Sequence, residues 1–127
     1  MAPERRLHIS LCDYLKVAYP KVIFLSESSG IRVSQGLSSL LKRTRSNHTH
    51  LDLYILEPVG EYHGLILELK AKTIFKKDGS LKADSKGHID DQFETIEKFR
   101  KKGYYATFCW SLDDGIKIID NYLHGNY

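Results

Sequence analysis

Apolar residues recur along this chain with two different periods. From Pro3 to Ala18, Leu7, Leu11, Tyr14, Leu15 and Ala18 return at helical spacing. Pro3 suits a first turn, where its missing N–H has no helical partner. Tyr19-Pro20 ends the run, because the residue before a proline is driven out of the helical region. "KVIFLSE" then reads as a short strand, Val22 to Leu25. Two further apolar runs, "LDLYILE" and "GLILELKAK", flank "PVGEYH", a turn with Pro58 and Gly60, and read as the second and third strands. Helical spacing resumes from about His88 to Lys102, with Ile89, Phe93, Ile96 and Phe99 on one face and Gly103 as a stop just past the end. "YYATFCW" is the fourth strand. Ser111 and Asp114 form a capping-box pattern that opens a last helix, with Ile116, Ile119 and Leu123 expected to face inward.

Two stretches break these patterns. Ser26 to His50 is rich in serine and basic residues, and only Leu37, Leu40 and Leu41 suggest a short helical turn. Thr73 to Gly87 is a polar, lysine-bearing loop. Loops this long in a compact domain are usually functional or disordered. The expected order is α-β-β-β-α-β-α: an α/β fold with a small mixed sheet flanked by helices.

The length of 127 residues suits one domain spanning the whole chain. A hydrophobic fraction of 42% and a charged fraction of 28% are those of a soluble globular protein. No apolar run is long enough to span a bilayer, and MAPERRLH contains no hydrophobic signal region. Cys12 and Cys109 sit in apolar surroundings and read as small buried side chains in a reducing compartment, so the cytoplasm is the expected location. The net charge of +3 is only mildly basic. Its distribution is more informative: Lys42, Arg43 and Arg45 form one cluster, and Lys72, Lys76, Lys77, Lys82 and Lys86 form another. Basic clusters in loops fit phosphate contacts, although ordinary solvated surface carries them too.

Glu68 and Lys70 interrupt the third strand, and alternation places them on one face. If the hairpin turns about Gly60, residues equidistant from it face each other, and Asp52 opposes Glu68 with Cβ atoms about 4.5–5.5 Å apart. A one-residue slip would separate them onto opposite faces. Two facing carboxylates repel unless a cation compensates. Lys70 does so in part. A divalent ion does so better, and hard oxygen ligands suit Mg2+ or Mn2+, with the Leu69 carbonyl as a further oxygen. Lys70 would then be free to orient an attacking water or to stabilise charge on a phosphoryl group. The same three residues also read as an ordinary exposed cross-strand cluster.

"HLDLYILEPVGEYHGLILELKAK" resembles the core of the PD-(D/E)XK nuclease superfamily, with Asp52 as the lone acid and Glu68-Leu69-Lys70 as its E-x-K. "SSGIR", "YHGLILELKAK" and "DQFETIEKFRKKGYYATFCWS" resemble the VRR-NUC branch, and the likeness extends from about Pro3 to Leu123. The resemblance implies that Asp52 and Glu68, helped by the Leu69 carbonyl, hold the metal. It implies that Lys70 is catalytic, that Gln92 stands near the active site, and that Glu4 touches a metal directly or through water. The chain departs from the family in having His48-Thr49-His50-Leu51-Asp52 where Gly-x-Pro-Asp is usual, and His8 where a glutamine is usual. Two assignments have support of their own. Gln92 shares the apolar face of Ile89 and Ile96, where an amide needs a partner such as an active-site water, Lys70 or a backbone carbonyl. Glu4 shares a face with Leu7, His8 and Leu11, but also suits a first helical turn by its charge.

His48, His50 and His63 lack a fourth ligand for zinc and read as polar loop residues, and no phosphate-loop, dinucleotide or zincin motif occurs. The expected function is that of a Mg2+- or Mn2+-dependent DNA endonuclease. Arg32, Lys42, Arg43, Arg45 and Lys72 would hold the DNA backbone. The resemblance extends the expectation to four-way junctions, a homodimer, and a phage or bacterial origin in replication, recombination or repair. The alternative from another class is a nucleic-acid-binding module on the same fold with no catalysis of its own, or one that a partner activates.

Overall fold

The computed structural model describes residues 3–27, 34–70, 78–80 and 86–127, with side chains in the third helix from Ile89 onward. The elements are α1 (Pro3–Ala18), β1 (Phe24–Ser26), α2 (Gln35–Arg43), β2 (Leu53–Ile55), β3 (Leu65–Leu69), α3 (Lys86–Lys101), β4 (Tyr105–Cys109) and α4 (Leu112–Leu123). The expected order thus gains one helix, α2, between the first two strands. The serine-rich stretch holds a nine-residue helix rather than a single turn. Ser34 caps it by accepting a hydrogen bond from the Leu37 N–H at 3.2 Å, so its start is set by a local polar cap. None of its residues is buried, and Leu37, Leu40 and Leu41 mark only part of its length.

The four strands form one sheet in the order β1-β2-β3-β4. The β1–β2 and β2–β3 pairs are antiparallel, and β3–β4 is parallel. A parallel pair needs a crossover, and α3 supplies it. The hairpin register pairs Leu53 with Leu67, Tyr54 with Ile66 and Ile55 with Leu65, the frame expected for a turn about Gly60. β3 is central and buried on both faces, hence its nearly unbroken apolar run.

Helices cover the sheet on both sides. On one, Leu7, Leu11 and Leu15 of α1 and Ile119 and Tyr122 of α4 pack on Leu53, Ile55, Leu65, Leu67, Leu69 and Cys109. Gly115 lets α4 approach closely, since a Cβ there would lie 2.7 Å from a Leu11 methyl and 2.9 Å from the Cys109 sulfur. Ser111 caps α4 by accepting from the Asp114 N–H at 3.0 Å, and Asp114 in return accepts from the Trp110 N–H at 3.0 Å. On the other side, Ile89 and Ile96 of α3 pack on Ile66, Ala106, Phe108 and Leu51. Phe93, expected to face inward with them, is 47% exposed at the margin. Gly103 ends α3 with φ +91°, and the Gly103 and Tyr104 N–H groups bond back to Arg100 and Phe99. Among the described residues no helix is long and apolar enough to cross a membrane.

Candidate active site

The β2–β3 hairpin brings Asp52, the residue before β2, alongside the end of β3 that carries Glu68. The regular ladder ends at the Leu53–Leu67 pair, and just before it the Asp52 N–H also turns to the Leu67 carbonyl, at 3.2 Å, one residue out of step with that register. The Asp52 Oδ2 accepts from the Leu69 N–H at 2.8 Å, which ties the carboxylate to the backbone of β3. Leu69 therefore anchors one acid through its amide. Glu68 is 4% exposed and Lys70 7% exposed, and Lys70 Nζ stands 3.6 Å from Glu68 Oε1. The Lys70 backbone is held in turn, its N–H donating to the Cys109 carbonyl at 2.8 Å. Gln92 lies between Ile89 and Ile96 on the buried face of α3, and its Nε2 donates to Glu68 Oε1 at 2.5 Å. Glu68 is thus a partner of this amide.

Burial, reinforced by the charge of Asp52 and only partly offset by Lys70, pushes the Glu68 carboxyl up to about 9. Its Oε2 is buried and meets no donor, and the nearest polar group to the carboxyl besides Gln92 and Lys70 is the acid of Asp52. A buried polar atom without a partner is costly, and a second carboxylate beside it raises the cost. A cation removes both penalties. Mg2+ is commonly held by one or two carboxylates, with substrate phosphates completing its shell. The chemistry of the Asp52–Glu68 pair fits that demand.

A third carboxylate stands in the same row and was missed from the sequence. The Glu27 N–H donates to the Asp52 carbonyl at 2.9 Å, so the β1–β2 register sets Glu27 opposite Asp52. Its side chain is 7% exposed and meets Arg45 Nη1 at 2.5 Å and His50 Nδ1 at 3.7 Å. The signal lay in the antiparallel frame of β1 and β2, which becomes readable only once the two strands are known to pair. Arg45, expected on the DNA backbone, is engaged here in an ion pair within the protein. Lys42 and Arg43 are exposed on the last turn of α2. Glu4 is half-buried in the first turn of α1. Among the described residues no group of three or more His, Cys, Asp or Glu side chains converges to hold a metal. Arg32 and Lys72 lie outside the described residues.

No family model matches the chain, and no curated protein matches it. A solved structure described as a "VRR_NUC domain protein" is similar over 97% of this chain and 89% of its own, with a TM-score of 0.63 and 20% sequence identity. Helices, mixed sheet and hairpin together therefore have the fold of a VRR_NUC domain protein.

Proposed function

We propose that this chain is a metal-dependent nuclease that hydrolyses phosphodiester bonds in DNA. One observation carries the reading: a buried Glu68 carboxyl beside the carboxyl of Asp52, with Lys70 buried just past the end of the same strand. A strand so placed for stability alone would carry apolar residues at these positions.

Asp52 and Glu68 would hold Mg2+ or Mn2+. Bound there, such an ion supplies Lewis-acid chemistry, drawing off charge that develops on the phosphoryl oxygens and acidifying water. The remaining work belongs to the chain. The Leu69 amide and the Gln92 amide fix the two carboxylates, so little reorganisation is needed when a cation arrives. Lys70, nearly buried beside Glu68, orients the attacking water and places a positive charge against the phosphoryl group as its charge builds. Lys42 and Arg43 are placed on the surface to meet backbone phosphates.

The resemblance seen in the sequence extends the reading to branched DNA. Two copies related by a two-fold axis would present two such sites to opposed strands of a four-way junction. The test is cleavage of labelled four-way junction, duplex and single-stranded DNA with Mg2+ and Mn2+, wild type against Glu68→Gln. Metal-dependent cutting that the variant loses supports the nuclease, and symmetric nicks support the junction and the dimer. Tight DNA binding with no cutting of any substrate overturns the catalytic reading.

A further inference from the structure

Next to the acidic pair stands an aromatic group that the hydrolytic chemistry does not use. Phe108 is the register partner of Glu68 across the β3–β4 ladder, one strand away. Adjacent strands lie about 4.8 Å apart. Trp110 follows two residues later and stacks on Phe108, with ring centroids 5.5 Å apart and planes inclined by 25°. Phe93, the neighbour of Gln92 on α3, meets Phe108 edge-on at 4.7 Å. Phe108 is buried at 8% exposure, while Trp110 is 40% and Phe93 47% exposed. The indole therefore stacks on a fixed ring and stays 40% exposed to solvent.

Such a group is costly to expose without a use. The β4 strand ends at Cys109, and the α4 cap takes over at Ser111. The Trp110 backbone is pinned there, its N–H bonded to Asp114. The ring thus sits on a rigid junction between strand and helix rather than on a free loop. Along the strand, Trp110 lies about 6.6 Å beyond Phe108. On the nuclease reading, where a cation at Asp52 and Glu68 draws a phosphate in, that spacing suits the base of an adjoining nucleotide.

We infer that Trp110, backed by Phe108 and flanked by Phe93, is a stacking platform for an unpaired base beside the scissile phosphate. The inference rests on the nuclease reading and names its substrate class: DNA with unstacked nucleotides at the cut, as in single strands and branch points. A base inside a duplex offers its face to its neighbours in the stack, and extruding it costs energy, least where pairing is already lost. An aromatic platform next to the acids favours strands that have already lost that pairing, without reading sequence.

Trp110 is the single tryptophan of the chain, so intrinsic emission reports on this site alone. The protein is titrated with labelled oligothymidylate, a blunt duplex and a four-way junction, and anisotropy and tryptophan emission are followed together. Stacking predicts that oligothymidylate and the junction quench the emission and that the blunt duplex does so far less. Trp110→Ala weakens oligothymidylate binding by about 5- to 100-fold, Trp110→Phe restores most of it, and both variants melt near the wild-type temperature. Phe93→Ala gives a smaller loss in the same direction and serves if Trp110→Ala does not fold. Binding with unchanged emission, or equal affinity of Trp110→Ala, overturns the platform while metal-dependent cleavage keeps the nuclease reading intact. Absence of both binding and cleavage for every substrate overturns the two together.

Discussion

On the face of β3 that meets α1 and α4, Leu65, Leu67 and Leu69 pack against Leu7, Leu11, Leu15, Ile119 and Tyr122, none more than 6% exposed. On the face that meets α3, Ile66 is followed by Glu68 and Lys70, and the helix above contributes Gln92 and Thr95 among its isoleucines. The first face is larger and wholly apolar. The second is smaller and buries a carboxylate, an ammonium and an amide within a few ångströms of one another. The two faces share a single strand, so the difference cannot come from the backbone. One face carries the stability of the domain, and the other gives some of it up to hold charges where hydration does not mask them.

Two substitutions test that division most strongly. Leu11→Ala on the apolar face should cost about 2–5 kcal/mol of stability, read by urea denaturation, while the folded fraction keeps its cleavage rate. Glu68→Gln should do the reverse. Cleavage should fall by about 10³-fold or more, equivalent to ~4 kcal/mol at the transition state, while the metal-free melting temperature holds or rises. The variant should also lose any melting shift produced by Mg2+ or Mn2+. A Glu68→Gln protein that unfolds but still cuts would erase the distinction between the faces.

Gln92 links the two roles and should show an intermediate effect. Its amide holds Glu68 Oε1, so Gln92→Leu keeps the packing volume but removes the donor that orients the carboxylate. The expected result is a loss of about 10–100-fold in metal affinity or cleavage. Titrating metal against melting temperature checks it, because a merely structural role would shift the baseline melt and leave the metal midpoint unchanged.

Much of this arrangement was legible from residues alone, and the exceptions have physical reasons. Alternation in "GLILELKAK" and a turn about Gly60 are local properties, so the hairpin register follows from them, whereas the step out of register at Asp52 does not. Gln92 on an apolar helical face demanded a partner, but which partner depends on how α3 lies across the sheet, and that is a tertiary fact. Glu27 escaped because the first strand was expected at Val22–Leu25, whereas it runs from Phe24 to Ser26 and its ladder reaches Glu27. In a three-residue strand the exposed Leu25 and half-buried Phe24 give too little alternation to fix the frame. Arg45 looked like a phosphate ligand for the same reason: its acid was hidden in the missed register. The aromatic group at Phe93, Phe108 and Trp110 is spread over a helix and a strand, and only the crossover brings it together.

A smaller effect at any one pH separates the faces by titration. The Glu68 carboxyl titrates near 9 in the fold, above its usual range, because of burial first and the charge of Asp52 second. Between the ordinary glutamate range and about 9, the unfolded chain has released this proton and the folded chain keeps it. The folded state then binds more protons, so metal-free stability should fall as pH rises through that window. Denaturation in chelator from pH 5 to 9 should show the slope, and Glu68→Gln should flatten it. Since metal binding requires the ionised acid, affinity for Mg2+ should rise over the same window.

The smallest effect lies on the apolar side, in a polar cluster at its margin. Asp120 of α4 accepts hydrogen bonds from the hydroxyls of Tyr14 at 2.5 Å and Tyr19 at 2.6 Å, joining the end of α1 to α4. Its desolvation works against the charge, yet the two hydroxyls and His124 outweigh it and hold the carboxyl below its usual range. Its contribution is therefore present above the ordinary aspartate range and lost as pH falls through the lowered value. Tyr19→Phe should cost about 0.5–1.5 kcal/mol at neutral pH, and less in acid. Urea denaturation at pH 7 and pH 3 measures the difference. Cleavage and metal affinity should stay at wild-type values, because this clamp touches the sheet only through the apolar layer, whereas Glu68 and Gln92 act from the opposite face. A drop in metal affinity in Tyr19→Phe would mean that the two faces are coupled through β3, and that rigidity of the apolar layer is part of how the acids are held.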